Sequence, residues 1–236
     1  MNDTHPTELA VEYLRQSRLG SDAAEALELE LAVLDRGRLR AALDDDARRL
    51  AFWIDIYNTV ILRQPHLDLD DWIGRLWFFR RPLVTVAGTA LSLDDIEQGI
   101  LRRSSWKLGL GYITSPRPSA FEREFRVEQV DPRIHFALNC GAASCPPFAA
   151  YDASRLDVQL DLATRSHLRG SVERRGEGLA IPAFMFWFIG DFGGPPGIRR
   201  FLRNHGVAGW NRPLRMASYD WTPIPARWID EDVDGA

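Results

Sequence analysis

The run from Asp46 to Arg63, DARRLAFWIDIYNTVILR, constrains the fold more than any other segment. Its large apolar side chains recur at helical spacing and share one broad face: Trp53, Ile56, Tyr57, Val60 and Ile61. Gln64-Pro65 ends the run, because the residue before a proline avoids helical backbone. The pattern predicts a central core helix that other elements must cover.

The remaining segments predict further helices and short strands. Residues 7–17 and 22–35 form an N-terminal helical pair, and Ser92 caps a helix over 93–102. LVTVAGTALS and SVERRGEGLAI have the pattern of hairpins, IHFALN that of a strand, and LRMASYDWTPI that of a last strand. Strands that occur singly or as hairpins favour an α+β fold. We expect a helix-rich single domain around a small, mainly antiparallel sheet.

Charge and composition restrict the function. The net charge is −4 and basic residues are mixed with acidic ones, so we expect neither a nucleic-acid nor a membrane partner. The N-terminus lacks a basic region followed by an apolar one, which predicts a cytoplasmic protein. The eight tryptophans then build core rather than a base-stacking platform. Two cysteines in such a chain favour free thiols over a disulfide.

The segment IHFALNCGAASCPP, residues 134–147, contains both cysteines. In a strand, Ile134, Phe136 and Leu138 share the core face, and His135 and Asn139 point to the other face. His135 is then either a satisfied strand histidine or part of a site.

Cys140 and Cys145 leave several interpretations open. Each is a small buried hydrophobe or a nucleophile, and Gly141 to Ser144 between them are small enough for a tight turn. A disulfide fits the spacing but is not expected in a cytoplasmic chain. A zinc site is improbable because the paired CxxC spacing is missing, so we expect no metal and no cofactor.

Three polar residues on other segments need partners. Glu97 projects from an apolar helical stripe and pairs either with an arginine or with His135. Asn58 lies between apolar positions of the core helix, where it ties the helix to a loop or lines a cleft. Asp191 follows a helix-stopping glycine, where it caps the next helix or binds the tight loop.

Five segments together resemble the domain of unknown function 547 family: FWIDIYN, LSLDDIEQGILR, DPRIHFALNCGAASCPP, FMFWFIGDFGG and YDW. The resemblance covers about residues 46–222, after an N-terminal helical segment (1–45) and before a C-terminal tail (223–236). The family is bacterial and plant, and its activity is not established. Its motifs imply a Glu/His/Cys site reminiscent of thiol peptidases, with Glu97, His135 and either Cys140 or Cys145. Such a site implies a papain-like or transglutaminase-like core.

Two positions depart from the family pattern. Asp55 stands where the family usually has Asn, and Gln98 stands where it has His directly after the glutamate. If that histidine is the family's base, this chain is impaired or works differently; if it is structural, His135 is unaffected. Plant relatives vary at the cysteines and join the domain to coiled coils, which favours an interaction role there.

We therefore expect a thiol-dependent hydrolase or acyl transferase that acts on an amide, peptide or thioester. A cysteine attacks the carbonyl, His135 moves the proton, Glu97 orients His135, and the N–H groups of Gly141 to Ser144 bind the oxyanion. The alternative is a non-catalytic protein-interaction domain in which Glu97, His135 and Asn58 form a buried polar network.

Overall fold

The computed structural model describes residues 4–64 and 71–229, so Pro65 and half of the predicted C-terminal tail lie outside the described residues. It has a helix-rich α+β fold with two small sheets, as the sequence predicts. Within these ranges, no helix is both long and apolar enough to cross a membrane.

Helices make up most of the fold. They are α1 (Pro6–Arg18), α2 (Ala23–Ala32), α3 (Arg36–Ala42), α4 (Asp46–Leu62), α5 (Trp72–Arg80), α6 (Ala120–Phe125), α7 (Leu156–Ser171), α8 (Phe184–Trp187) and α9 (Gly194–Asn204). A π-helix (Asp95–Leu101) and a 3₁₀ helix (Pro132–Phe136) add to them. The sequence pattern did not predict α3, α5 or α6.

The predicted core helix is α4, and every residue from Leu50 to Ile61 is buried. The Asp45 side chain begins the helix by accepting a hydrogen bond from the Arg48 N–H. Trp53 is fully buried and packs edge-to-face on Phe52, with 4.8 Å between ring centroids. Burial of a side chain of this size stabilises the fold by roughly 1.5–3 kcal/mol.

The two predicted hairpins are confirmed. β1 (Pro82–Val86) and β2 (Thr89–Ser92) pair in antiparallel fashion around Ala87-Gly88, whose positive φ angles match a tight hairpin turn. β3 (Glu173–Arg175) and β4 (Gly178–Ile181) form the second hairpin. β5 (Leu214–Met216) is the predicted last strand, and it pairs with β4 in parallel.

The prediction of a strand at IHFALN is wrong. Asp131 accepts a hydrogen bond from the Arg133 N–H, and Pro132 fits the first position of a helix, so the local signals start a 3₁₀ helix instead. The assignment of His135 and Asn139 to one face of a strand therefore fails. The Asp152 side chain accepts a hydrogen bond from the Ser154 N–H, and α7 begins at Leu156 without a side-chain cap.

The chain after β5 returns to the cysteine segment. The Ala143 N–H donates to the Thr222 carbonyl at 2.9 Å, and the Ser144 N–H donates to the Asp220 carbonyl at 3.2 Å. These bonds fix residues 219–222 against the turn between the two cysteines.

The buried carboxyl of Asp55 generates a prediction. Asp55 is 0 % exposed, and its oxygens accept the Tyr151 N–H at 3.0 and 3.3 Å. Burial raises the pKa of Asp55 well above its usual range, and the Tyr151 bond offsets this only in part. A raised pKa means that the stabilising contribution is complete below about pH 4 and is lost as the pH rises through the folded-state pKa.

Asp55→Asn keeps an acceptor for Tyr151 but cannot ionise. We expect it to raise the free energy of unfolding at pH 7, because the buried charge is removed, and to lose this advantage near pH 4, where Asp55 is protonated in both the folded and the unfolded state. Urea unfolding at several pH values measures it, and the exposed Asp22→Asn is the control. An equal or lower stability of the variant at pH 7 contradicts the prediction.

Candidate functional site

Two buried amides hold the ends of the cysteine loop, residues 139–147. The Asn58 side chain donates to the Ala137 carbonyl and accepts from the Asn139 N–H, both at 3.0 Å. The Asn139 side chain donates to the Pro146 carbonyl at 2.5 Å and accepts from the Gly141 N–H at 2.7 Å. Asn58 therefore ties its helix to a loop, which was one of its two predicted roles.

The loop joins Cys140 and Cys145 in a disulfide, with their Cα atoms 6.2 Å apart. The prediction of free thiols is wrong, because Asn139 folds the chain back so that the two sulfurs meet. The Cys140 N–H also donates to the Cys145 sulfur at 3.0 Å. Cys145 is 2 % exposed, whereas Cys140 is partly exposed.

Tyr219 is the side chain that contacts both sulfurs. Its hydroxyl lies 3.2 Å from the Cys140 Sγ and 3.2 Å from the Cys145 Sγ. Its ring packs on Trp187 and Trp221, with centroid distances of 4.9 and 4.5 Å. Burial, and then the Glu97 carboxylate, raise the pKa of Tyr219, so the phenol stays protonated.

Glu97 lies on the π-helix, which Ser92 and Asp95 begin by bonding to each other's backbone N–H groups. The Tyr57 hydroxyl donates to the Glu97 Oε2 at 3.4 Å. Burial raises the pKa of Glu97, and the Arg102 charge offsets part of this rise. We define Cys140, Cys145, Tyr219, Glu97 and Tyr57 as the sulfur cluster.

His135 belongs to a second cluster. Its Nε2 donates to the Asp191 Oδ2 at 2.8 Å, and its ring stacks on Phe188 with 4.2 Å between centroids. Arg102 donates to both oxygens of Asp191, at 2.5 and 3.0 Å, and its guanidinium lies 4.3 Å from the centre of the Phe188 ring. Asp191, not Glu97, therefore orients His135.

Asp191 does not act as a helix cap, because Gly193 is the cap residue of α9 and no side chain caps it. The Arg102 Nη1 donates to the Gln98 Oε1, so Gln98 completes the partners of this arginine. We define His135, Asp191, Arg102 and Gln98 as the imidazole cluster. Burial lowers the pKa of His135, although Asp191 acts against it, so the imidazole is neutral near pH 7.

In the turn that was predicted to bind an oxyanion, three backbone N–H groups already donate hydrogen bonds within the protein. The N–H groups of Gly141, Ala143 and Ser144 donate to Asn139, Thr222 and Asp220 respectively. The Ser144 hydroxyl accepts from the Asp220 N–H at 2.8 Å. Gly141 and Ser144 therefore fix the loop, and those three N–H groups have no bond left for an oxyanion.

A cavity of about 440 Å³ lies beside Cys145. Tyr219, His167 and Arg227 also line it. Burial, and then the Arg227 charge, lower the pKa of His167 to about 4. Among the described residues, no group of three or more His, Cys, Asp or Glu side chains is placed to hold a metal ion.

Sequence reasoning missed Tyr219, His167 and Arg102. Tyr219 carried a signal, because it begins the YDW segment of the family resemblance. Arg102 carried the same signal, because it ends the LSLDDIEQGILR segment of that resemblance, whereas His167 had none, since it lies on an ordinary helical pattern.

A family model described as "Protein of unknown function, DUF547" matches residues 41–168, which is more than half of the 236 residues. FMFWFIGDFGG and YDW lie beyond this match. No curated protein and no solved structure matches the chain. The expected papain-like or transglutaminase-like core therefore has no structural match to support it.

The buried ion pair of the imidazole cluster generates a prediction. The Arg102 and Asp191 side chains are 0 % and 1 % exposed. Asp191→Asn leaves the Arg102 charge buried without its counterion, so we expect a loss of about 3–5 kcal/mol in the free energy of unfolding. Urea unfolding at pH 7 measures it.

The pH dependence of this loss has a defined sign. Burial raises the pKa of Asp191, but hydrogen bonds from His135 and Arg102 outweigh it and hold the pKa below its usual value. The contribution of Asp191 to the wild-type free energy of unfolding is therefore complete above about pH 4 and is lost as the pH falls further. The variant has no carboxylate here and does not show this loss at low pH. The exposed Asp157→Asn, which breaks a surface pair with Arg133, is the control. A similar loss in both variants contradicts the prediction.

Proposed function

Because the chain belongs to the family of proteins of unknown function DUF547, whose description names no reaction, we propose a function from the cysteine loop alone: thiol–disulfide exchange. The observation that carries the proposal is the Cys140–Cys145 disulfide, both sulfurs of which contact one tyrosine hydroxyl. The protein is then a thiol-dependent enzyme, as the sequence predicts, but with a different reaction.

The two sulfurs have different surroundings, and this supports a direction of attack. Cys140 is partly exposed, whereas Cys145 is 2 % exposed, so we propose that an incoming thiolate attacks Cys140. The Tyr219 O–H lies 3.2 Å from both sulfurs and can donate to either, whereas the Cys140 N–H donates to Cys145 alone. Hydrogen bonds to an anion stabilise it, so Cys145 is the better leaving thiolate.

The reaction balances with a thiol as the second reactant. A thiolate RS⁻ forms an S–S bond to Cys140, and the electron pair of the Cys140–Cys145 bond goes to Cys145. A second thiolate attacks the R sulfur of this mixed disulfide and releases RSSR and the Cys140 thiolate. With proton uptake by both cysteines, two RSH are oxidised and the protein disulfide is reduced to a dithiol.

The rest of the sulfur cluster supports the same role. Burial, and then the Glu97 carboxylate, raise the pKa of Tyr219 and keep its hydroxyl protonated, so the proton is available for donation to sulfur. Tyr57 in turn donates to Glu97. The cytoplasmic location predicted from the sequence belongs to this proposal, since reducing thiols are plentiful there.

Tyr219→Phe tests the proposal. The variant loses one donor to the Cys145 thiolate, and such a bond to a charged group is worth about 1.5–3 kcal/mol. Because Cys140 N–H remains, we expect reduction by dithiothreitol to slow by about tenfold. Alkylation of the released thiols followed by mass spectrometry measures the rate, under native conditions.

Tyr112→Phe, at an exposed tyrosine, is the matched control and should keep the wild-type rate. Reoxidation by oxidised glutathione must restore the starting disulfide. A disulfide that dithiothreitol reduces only after unfolding would mean a structural bond, and the proposal would then be wrong.

A second candidate is the thiol-dependent hydrolase or acyl transferase that the sequence predicts. The cavity of about 440 Å³ favours it, because Cys145 and the neutral His167 line the same space. For this reaction we propose that, in the dithiol form, His167 accepts the Cys145 proton before the sulfur attacks a carbonyl. In this reaction His167 replaces His135 as the base.

Hydrolysis of a small thioester by the dithiol form tests the second candidate. We expect Cys145→Ser and His167→Gln each to lower the rate by at least about 100-fold, and the disulfide form to be inactive. His205→Gln is the control, since His205 bonds to the Phe201 carbonyl away from the loop. Equal rates in the dithiol and disulfide forms contradict this candidate. Absence of both activities leaves the non-catalytic interaction domain, which the buried Asn58 and His135 contacts favour.

A further inference from the structure

Residues 105–114 form a closed loop, here called the apolar loop, whose large apolar side chains are exposed. A β-bridge between Ser105 and Thr114 closes it, and inside the bridge the Trp106 N–H donates to the Ile113 carbonyl at 2.7 Å. The exposed apolar side chains are Trp106 at 47 %, Leu108 at 73 %, Leu110 at 50 %, Tyr112 at 61 % and Ile113 at 51 %. So much exposed apolar surface within ten residues marks an interaction site.

The backbone of Leu110 is a second, independent observation. Its φ angle is +52°, in the left-handed region that leucine rarely adopts. The Leu110 carbonyl accepts a hydrogen bond from the Gly190 N–H at 2.7 Å, which fixes the turn of the loop on the segment after α8. The fold therefore holds this leucine in an unfavourable conformation while half of the side chain stays exposed. Backbone strain that is not offset by burial points to a role at the surface.

The charge around the apolar loop differs from that of the whole chain. Residues 103–117 contain three basic residues and no acidic one, although the chain has a net charge of −4. Arg103 and Arg117 flank the loop and are both exposed, and neither forms an ion pair with any residue that the structure describes. An anionic partner would supply the counterions that these two arginines lack.

The nearest exposed acid does not cancel this charge. Asp94 bonds to Lys107 at 2.7 Å and also lies 3.8 Å from the Arg80 Nε, so two basic side chains balance one carboxylate. Arg80 brings the end of α5 next to the loop. Trp77, which is 70 % exposed, lies three residues before Arg80 and is its neighbour on the helix surface. A further exposed aromatic side chain therefore lies on the element beside the loop.

We propose that the apolar loop binds the surface of an anionic membrane. The order of residues along the loop favours lipid over a protein partner. Leu108 and Leu110 occupy its turn, Trp106 and Tyr112 come next on either side, and the two arginines flank it. The layers of a membrane surface follow the same order, from acyl chains through the aromatic-rich interface to the phosphates. A protein partner would require no such order.

This inference does not depend on the proposed exchange function, because no sulfur takes part in it. It departs from the expectation of no membrane partner, which followed from the mixing of charges over the whole chain rather than over residues 103–117. The cytoplasmic leaflet of a membrane is the anionic one, which fits the location expected from the sequence. Binding is peripheral, since a ten-residue loop enters the interface without crossing the bilayer.

Flotation of the intact protein with vesicles tests the inference. One set of vesicles is phosphatidylcholine alone, and the other contains phosphatidylserine as well. We expect at least tenfold stronger binding to the vesicles with phosphatidylserine, because their negative surface attracts the unpaired arginines. This binding should weaken as the salt concentration rises, since salt screens the attraction.

Trp106→Ser combined with Leu108→Ser removes apolar surface from the loop. We expect this variant to bind phosphatidylserine vesicles at least tenfold more weakly, because less apolar area enters the interface. Leu29→Ser combined with Val33→Ser is the matched control, since these two side chains of α2 and its C-cap are 68 % and 82 % exposed. The control should bind as the wild type does.

Arg103→Gln combined with Arg117→Gln removes the flanking charge and leaves the apolar residues in place. Each basic residue near an anionic surface contributes about fivefold to binding, so we expect a loss of at least tenfold. Arg40→Gln combined with Arg169→Gln makes the same change of net charge at exposed arginines of α3 and α7 and should keep the wild-type binding.

All substituted side chains are exposed, so urea unfolding of each variant should match the wild type, and if one loop variant unfolds the other decides. Equal binding to the two kinds of vesicle, binding to neither, or binding that survives the loop substitutions overturns the inference. A wild-type dimer that the Trp106→Ser, Leu108→Ser variant abolishes, without vesicle binding, assigns the loop to a contact between copies and also overturns it.

Discussion

The buried ion pair between Arg102 and Asp191 is the interaction on which the rest of the site depends. Arg102 follows the π-helix that presents Glu97, and Asp191 follows α8. The pair therefore fixes two distant parts of the chain at the 3₁₀ helix that contains His135. Its charges are removed from water, so each requires the other, and Gln98, His135 and the Phe188 ring complete their surroundings.

This arrangement separates the imidazole from the sulfurs. A thiol hydrolase of the expected type needs a hydrogen bond between the histidine ring and the cysteine sulfur. Here His135 bonds to Asp191, and the two sulfurs contact Tyr219 instead. Three of the four N–H groups that were predicted to bind an oxyanion, those of Gly141, Ala143 and Ser144, also donate within the loop or to residues 220–222. Thiol–disulfide exchange needs only two sulfurs, a donor to the leaving thiolate and access to one sulfur. This geometry therefore suits the proposed exchange better than acyl transfer.

Much of the fold was predictable, because the decisive signals are local. The apolar periodicity of residues 46–63 predicted α4, and Ala87-Gly88 predicted the first hairpin. The prediction of a strand at 134–139 was wrong for a local reason as well. The Asp131-Pro132 pair starts a 3₁₀ helix, and an alternating apolar pattern over six residues does not outweigh this signal. α5 was missed because its apolar residues do not form one stripe: Phe78 and Phe79 pack against the core, whereas Trp72, Ile73 and Trp77 are exposed.

The sequence by itself determined which residues carry chemistry: two cysteines with small residues between them, one glutamate on an apolar helix, and buried amides that need partners. The tertiary structure decided how these groups pair. The Asn139 side chain bonds across the cysteine loop, and Cys140 and Cys145, which were expected to be free thiols, form a disulfide. Tyr219, which is distant in sequence, contacts the Cys140 sulfur, and Asp191 rather than Glu97 bonds to His135. Partners of buried polar groups come from segments far apart in the chain, so no spacing along the sequence specifies them.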